Sequence, residues 1–245
     1  MIRFLVQSVA LLAAADASAG VLWRGDFDSG DLAQWTGRAQ YAEAPAPSDR
    51  LRVVPGDNGH YLQATVRPGD LHSNGARAEV VLAKPMFREG DEAWFRWRTM
   101  FPADFQSTDK WIVWTQWHQT LPLGNGGPPV AFELHGQQLR LRLQAGLYDA
   151  KGDWSGGVVW RGTLDRGHWH TYVLHVKWSQ DPRVGFVELW TDGQRVLPLT
   201  PHSTLDTDGV VYLKQGLYRD RTIPFAQSVC HDDMVVADRK EDVLP

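Results

Sequence analysis

The sequence predicts an all-β fold, a β-jelly-roll (concanavalin-like) sandwich of two antiparallel sheets with a concave groove on one side. Short segments rich in β-branched and aromatic residues recur between clusters of Gly, Pro, Asn and Asp. Convincing helical periodicity is nearly absent. The 245 residues suit a single β-domain, since sandwiches of roughly 200–250 residues form one unit.

The strands are predicted from alternating or continuously apolar segments that end at turn-forming residues. They are Tyr61–Val66, Arg77–Leu82, Glu92–Thr99, Trp111–His118, Val130–Leu134, Gln138–Gln144, Val158–Arg161, Thr171–Trp178, Gly185–Thr191, Val210–Tyr218 and His231–Ala237. Hairpin turns are expected at Gly136 and at Asp192-Gly193.

Residues 1–19 predict a signal peptide. Arg3 is a short positive region, Phe4 to Ala15 is apolar, and Ala17-Ser18-Ala19 fits a small-residue cleavage site. The apolar stretch is shorter than the ~20 residues of a membrane-spanning helix. We therefore expect one mature domain over residues 20–245, exported to the periplasm or the medium, monomeric and without a membrane partner.

The composition disfavours several functions. A formal net charge of −4 argues against a nucleic-acid partner, and an anionic ligand would need a local basic groove. Cys230 is the single cysteine, which excludes an intrachain disulfide. The 12 Trp residues suit either a large core or a surface that stacks on sugar rings.

The strand Trp111–His118 carries polar side chains on one face. Because side chains alternate with period 2, Trp114, Gln116 and His118 are expected to point the same way. A single His on a strand is more often an edge histidine with a satisfied hydrogen bond. Two polar residues beside a Trp on a very apolar strand favour a carbohydrate groove instead.

A polar loop precedes the strand on which Arg77 and Glu79 share a face. An exposed ion pair is the ordinary interpretation of such a pair. The alternative is an Arg held by Glu79 and directed at a ligand carboxylate. His72 and Asn74, on the preceding loop, could reach the same groove or remain solvated.

The segment Tyr212–Arg219 presents a third polar face. Tyr212, Lys214, Gly216 and Tyr218 share a parity, with Gly216 leaving room for a ligand. A solvated lysine and a rim tyrosine are the alternative. Nearby cations would favour the phenolate form of Tyr218 by lowering its pKa.

Together these side chains suit β-elimination on a uronic acid. Arg77 and Gln116 could neutralise the carboxylate next to C5. His118 and Tyr218 could take the C5 proton and protonate the leaving O4. In glucuronate or mannuronate the C5 hydrogen and O4 lie on the same side, so one Tyr could do both. In iduronate or guluronate they lie on opposite sides, which suits His118 as base and Tyr218 as acid.

Several motifs in this order and spacing resemble the jelly-roll polysaccharide lyases of the glucuronan lyase and heparin lyase I type. They are Arg77-Ala-Glu79, Gln116-Trp117-His118, Gly167-His-Trp169-His170, His175-Val-Lys177-Trp178-Ser179 and Lys214-Gln-Gly-Leu-Tyr218-Arg219. The resemblance covers almost the whole mature chain. It implies a β-jelly roll and eliminative cleavage of a uronate-containing, anionic polysaccharide.

Carried over residue by residue, the resemblance implies that His118 and Tyr218 are the catalytic pair. It also implies that Arg77 and Gln116 neutralise the substrate carboxylate and that Lys214 binds substrate. The chain lacks the long insertions of the heparin enzymes and obvious Lys/Arg clusters for sulfates. A plain polyuronate, such as glucuronan or alginate, is therefore the expected substrate.

Other features carry weaker expectations. Trp190 could be a sugar platform. No cofactor is expected, because no His or Cys pair has zinc-ligand spacing with a third partner. A structural calcium ion is an alternative to ordinary surface acids where the chain termini pair, and the acids concerned are Asp26, Asp28, Asp232 and Asp233.

Two other functions compete with the lyase. A glycoside hydrolase needs two carboxylates ~5–9.5 Å apart, whereas Glu133 and Glu188 stand alone in their strands. A non-catalytic carbohydrate-binding module could use Trp114 and Trp190, but it would not explain a His, a Tyr and two cations on one surface.

Overall fold

The computed structural model describes residues 20–35, 40–41, 49–72, 75–120, 127–145, 155–206 and 208–244. The predicted signal peptide and Asn74 lie outside these residues. Within the described ranges, no helix is both long enough and apolar enough to cross a membrane.

The described residues form strands β1 to β16 and a 3₁₀ helix at Lys240–Asp242. The strands are β1 Val21–Gly25, β2 Gln40–Tyr41, β3 Leu51–Gly56, β4 Gly59–Val66, β5 Leu71–His72, β6 Gly75–Phe87, β7 Glu92–Met100, β8 Ile112–Gln119, β9 Val130–His135, β10 Gln138–Ala145, β11 Ser155–Thr163, β12 His170–Lys177, β13 Phe186–Thr191, β14 Gln194–Pro201, β15 Val211–Arg219 and β16 Gln227–Ala237.

The strands pair antiparallel in two sheets, which confirms the predicted jelly-roll sandwich. Sheet A has the order β14-β13-β12-β7-β16-β4-β3, with β1 added to β16. Sheet B has the order β11-β10-β9-β8-β15-β6-β2, with β5 added to β6. All predicted strands are present, and Asp192 and Gly193 both have the positive φ expected in the β13–β14 turn.

Aromatic rings fill the space between the sheets. Trp97 of sheet A packs against Trp117 and Phe132 of sheet B, with ring centroids 5.7 and 5.1 Å apart. Trp97 and Trp117 are both fully buried. Since aromatic side chains bury large areas with preferred edge-to-face geometry, the core fixes how the sheets face each other.

Strand β15 approaches β6 most closely at Gly216. Gly216 has φ 149°, a conformation that side chains rarely adopt. A Cβ at this position would lie 2.2 Å from the carbonyl oxygen of Ala78 on β6. The contact leaves no room for a larger residue.

We expect Gly216→Ala to lower the free energy of unfolding by about 1–3 kcal/mol, through backbone strain and the clash with Ala78. Gly157→Ala on β11 is the matched control, because a Cβ there meets nothing within 4 Å. Urea titrations of both variants would measure the difference. Equal stability of the two would contradict a close approach at Gly216.

Candidate active site

Strand β15 lies in the middle of sheet B and carries a row of polar side chains on the outer face. Residues that face each other across an antiparallel pair point to the same side of the sheet. The facing pairs are Tyr212 with His118, Lys214 with Gln116, Gly216 with Glu79, and Tyr218 with Arg77. Leu213 and Leu217 point the other way and are buried in the core. We call the outer surface formed by these pairs the polar face of sheet B.

A buried carboxylate organises the middle of this face. Glu79 accepts a hydrogen bond of 2.5 Å from Nε2 of Gln116, and its other oxygen lies 3.5 Å from Nη1 of Arg77. All three side chains are buried. Because the amide of Gln116 donates to Glu79, its orientation is fixed, and Arg77 is held beside it.

His118 has a defined tautomer. Its Nδ1 lies 3.0 Å from the carbonyl oxygen of Gln119, which only accepts, so Nδ1 carries the hydrogen. Burial, together with the nearby Lys214, lowers the pKa of His118 to about 4. At neutral pH the imidazole is therefore uncharged, with the lone pair of Nε2 available to accept a proton.

Tyr212 is the tyrosine next to His118, and our sequence analysis did not select it. The two ring centroids are 5.5 Å apart, and Nζ of Lys214 lies 5.6 Å from the centroid of the Tyr212 ring. Burial and the negative charge of Glu79 raise the pKa of Tyr212, so its phenol keeps its proton. The shared parity with Lys214 and Tyr218 was the sequence signal for its position.

Tyr218 lies at the other end of the same face. Its ring is under the guanidinium of Arg77, at 3.8 Å from Cζ to the ring centroid, and packs edge-on against Trp111 at 4.8 Å. Tyr218 lies six positions after Tyr212 along β15, or about 20 Å of backbone.

Tyr218 and His118 lie on one face, and contacts among Arg77, Glu79 and Gln116 lead from the Tyr218 ring to β8. A shared catalytic role for Tyr218 and His118 stays a prediction.

The charges around Lys214 leave a surplus of positive charge. Lys214 and Arg77 are cations, and Glu79 is the anion between them. Burial lowers the pKa of Lys214, while Glu79 acts in the opposite direction. With His118 neutral, these groups carry one net positive charge, which one ligand carboxylate could balance.

The two tryptophans expected in the groove lie elsewhere. A register shift between Val113 and Thr115, typical of a β-bulge, breaks the alternation and turns Trp114 into the core. Trp190 belongs to sheet A and packs against Trp94, with ring centroids 5.5 Å apart. Neither residue can be a sugar platform on the polar face of sheet B.

His72 lies at the end of sheet B where Tyr218 lies. It faces Gly75 across the short β5–β6 pair. A Cβ at Gly75 would lie 2.4 Å from the Tyr218 ring, so His72, Gly75 and Tyr218 are at the same end of sheet B. Asn74 lies outside the described residues.

The polar face continues onto β9 and β10 with an ion-paired group that the sequence analysis missed. Nε of Arg142 donates to Glu133 at 2.6 Å, and His135 lies 3.4 Å from the same carboxylate. Burial opposes ionisation, but these partners hold the pKa of Glu133 below its usual value. Arg140 and Arg142 alternate along β10 with leucines that point into the core, so the sequence pattern predicts that both arginines point outward.

The acids considered for calcium do come near each other, because β1 pairs with β16. Asp232 and Asp233 lie 3.7 and 3.4 Å from Nη1 of Arg98. Burial and the neighbouring Asp233 raise the pKa of Asp232 to about 7. Over the described ranges, no three His, Cys, Asp or Glu side chains are arranged to hold a metal ion.

Comparison with known proteins gives a family and a fold. The model of a family described as polysaccharide lyase matches residues 27–235. None of the curated proteins is a significant match to the chain.

Solved structures share the fold at low identity. An endo-β-1,4-glucuronan lyase from the fungus Trichoderma reesei is 21% identical, with a TM-score of 0.74, over 91% of this chain and 98% of that one. An alginate lyase of polysaccharide lyase family 7 is 14% identical, with a TM-score of 0.59, over 78% and 83% of the two chains.

A glycoside hydrolase family 131 catalytic domain from Coprinopsis cinerea is 10% identical, with a TM-score of 0.62, over 92% and 98%. The same sandwich therefore occurs in lyases and in a hydrolase, so fold alone does not decide the chemistry.

We expect the wild type to lose more stability than a His118→Gln variant as the pH falls from 6.5 to 4. The pKa of His118 falls from an ordinary 6.5 to about 4 on folding, so in this window the unfolded chain binds the extra proton. The contribution of neutral His118 to the free energy of unfolding is fully present above pH 6.5 and is lost as the pH falls towards 4. At pH 4 the wild type should have lost about 1–3 kcal/mol more of its free energy of unfolding than the variant has.

Urea titrations at a series of pH values would measure this difference. His168→Gln is the control, because the side chain of His168 is 72% exposed and its surface contact with Asp165 should contribute little to stability. Parallel curves for wild type and His118→Gln would show that His118 is not held neutral by the fold.

Proposed function

The chain belongs to the polysaccharide lyase family, and we propose that it cleaves a plain polyuronate, of the glucuronan or alginate kind, by β-elimination on the polar face of sheet B. The observation that carries this proposal is the neutral imidazole of His118 beside the protonated phenol of Tyr212. Both adjoin a group with one net positive charge.

The positive group would neutralise the uronate carboxylate. Elimination places negative charge at C5, and that charge spreads into the attached carboxylate. Arg77 and Lys214 would balance it, and Gln116, held by Glu79, would donate a further hydrogen bond. Donors fixed before the reaction stabilise such charge without reorganisation.

The proton transfers would use the two adjacent rings. Nε2 of His118 takes the C5 proton, and the C5–H electrons form the C4–C5 double bond. The C4–O4 bond breaks, and the phenol of Tyr212 gives its proton to O4. The products are a new chain end and an unsaturated uronate, and solvent returns a proton to Tyr212 and removes one from His118.

Tyr218 would have a different task from the one expected. Its ring supports the guanidinium of Arg77 at 3.8 Å, so it positions the carboxylate-neutralising group. The Tyr218 ring also packs against Trp111 and lies close to Gly75.

The arrangement favours substrates in which C5–H and O4 lie on the same side. His118 and Tyr212 project from neighbouring strands of one sheet, so they reach a sugar laid across the sheet from the same side. Glucuronate and mannuronate meet this condition, whereas guluronate and iduronate do not.

A hydrolase mechanism is less well supported. The carboxylates on this face are those of Glu79 on β6 and Glu133 on β9, among the described residues of strands β6 to β10. Strands β15 and β8 lie between them, a separation of about 14 Å at ~4.8 Å per strand. A hydrolase requires ~5–9.5 Å.

The export of the mature chain as a monomer to the periplasm or medium remains our proposal, and residues 1–19 support it. In the proposed elimination, protein side chains carry out both proton transfers, and no cofactor takes part.

We expect Tyr212→Phe to reduce kcat by about 100-fold or more, because the phenol that protonates O4 is lost. Tyr218→Phe should keep activity within about tenfold of wild type, because it keeps the ring against Arg77. The ultraviolet absorbance of the unsaturated uronate would measure turnover. The reverse order of the two variants would return the catalytic role to Tyr218.

A second expectation concerns the epimers of alginate. Polymannuronate and polyguluronate differ in the configuration at C5, and we expect kcat/KM at least about tenfold higher on polymannuronate. We expect kcat/KM on glucuronan to be similar to that on polymannuronate. New reducing ends without ultraviolet absorbance would instead indicate hydrolysis, and faster cleavage of polyguluronate would contradict proton transfer from one side.

A further inference from the structure

A second pocket lies on the opposite side of the sandwich from His118 and Tyr212. Its volume is about 530 Å³, and the β3–β4 turn, strands β4, β7 and β16 and the segment before β12 line it. Binding sites for small ligands commonly have about 300–1,000 Å³. The pocket belongs to the outer face of sheet A and shares no residue with the polar face of sheet B.

Two aromatic rings form one wall of this pocket. Tyr61 packs edge-on against Trp169, with ring centroids 5.4 Å apart. Both rings are only partly buried. The guanidinium of Arg98 lies 4.9 Å from the centre of the Trp169 ring and fixes its orientation. Trp169 belongs to the motif Gly167-His-Trp169-His170, which has no role in the proposed elimination.

Hydrogen-bonding groups surround the rings. Asp57 and Asn58 stand on the β3–β4 turn, and Asp232 stands on β16. These side chains supply carboxylate and amide groups around an aromatic wall, the combination that suits a ring with apolar C–H faces and hydroxyl edges.

The charge at this pocket disfavours an anionic ligand. Arg98 is the single Lys or Arg among the described lining residues, and it already lies within 4 Å of both Asp232 and Asp233. A uronate carboxylate would add a negative charge beside these acids. Burial and the neighbouring Asp233 raise the pKa of Asp232 to about 7, while Arg98 acts in the opposite direction.

We propose that this pocket is a non-catalytic binding site for neutral hexopyranose units of a polysaccharide, with Tyr61 and Trp169 as the aromatic wall. The two outer faces of the sandwich then bind different sugars. The polar face of sheet B has surplus positive charge for a uronate, and the sheet A pocket takes uncharged units. A neutral polysaccharide held there would keep the enzyme on a matrix that contains both polymers.

Titration of protein carrying ¹⁵N-labelled tryptophan with cellohexaose, laminarihexaose or mannohexaose would test the proposal. The indole N–H signal missing from Trp169→Ala belongs to Trp169. At least one neutral hexasaccharide should shift that signal and leave the signal of Trp190, on the same sheet but outside the pocket, unchanged.

Calorimetry of variants gives the second measurement. Trp169→Ala should weaken binding of that hexasaccharide by at least about tenfold, while a urea unfolding transition close to that of the wild type shows that the variant folds. His168→Ala, next to Trp169 but not lining the pocket, is the matched control and should bind normally.

Three results would overturn the proposal. They are an unshifted Trp169 signal with all three neutral hexasaccharides, an unchanged affinity in Trp169→Ala, and a larger shift with hexamannuronate than with the neutral sugars. None of these depends on whether the chain cleaves polyuronates, so the two proposals can fail separately.

Discussion

The register of β15 between β6 and β8 is the constraint on which the site depends. One strand sets the neighbours of the polar side chains on that face, since most residues of β15 face a partner on both β6 and β8. The exceptions are Tyr212, at a register shift towards β6, and Gly216 and Leu217, at a register shift towards β8. Gly216 permits the close approach to β6, where any Cβ would meet the Ala78 carbonyl. A shift of one residue would move the whole polar row into the core.

Within that register, the buried charge of Glu79 determines what the site can hold. An isolated buried carboxylate is costly, so it must have partners, and here they are Arg77 and Gln116. The same anion keeps a second cation, Lys214, in a buried position. The site therefore keeps two cations and a neutral imidazole close together before any ligand arrives, and preorganisation of this kind favours a charged transition state.

The sequence alone was enough to predict the sandwich and the directions of the side chains on β6 and β15, because polar and apolar residues alternate along both strands. It was not enough where a position depends on contacts between residues distant along the chain. The β8 bulge that buries Trp114 has no signature in the local pattern. Tyr212 and Tyr218 share one parity, and only the pairing with β8 and β6 shows that the first faces His118 and the second Arg77. Prolines in β3 and β14 obscured these edge strands.

The two outer faces have opposite electrostatic designs on one scaffold. On sheet B, buried cations outnumber the anion between them, whereas on sheet A the guanidinium of Arg98 is shared by Asp232 and Asp233. The core between the sheets is mainly apolar and aromatic, and a polar exception is His231 of sheet A, whose Nε2 lies 3.0 Å from the carbonyl oxygen of Gly216 in sheet B. The two faces therefore offer different charge environments on one scaffold, and under our two proposals one sheet would carry out catalysis and the other would bind a neutral sugar.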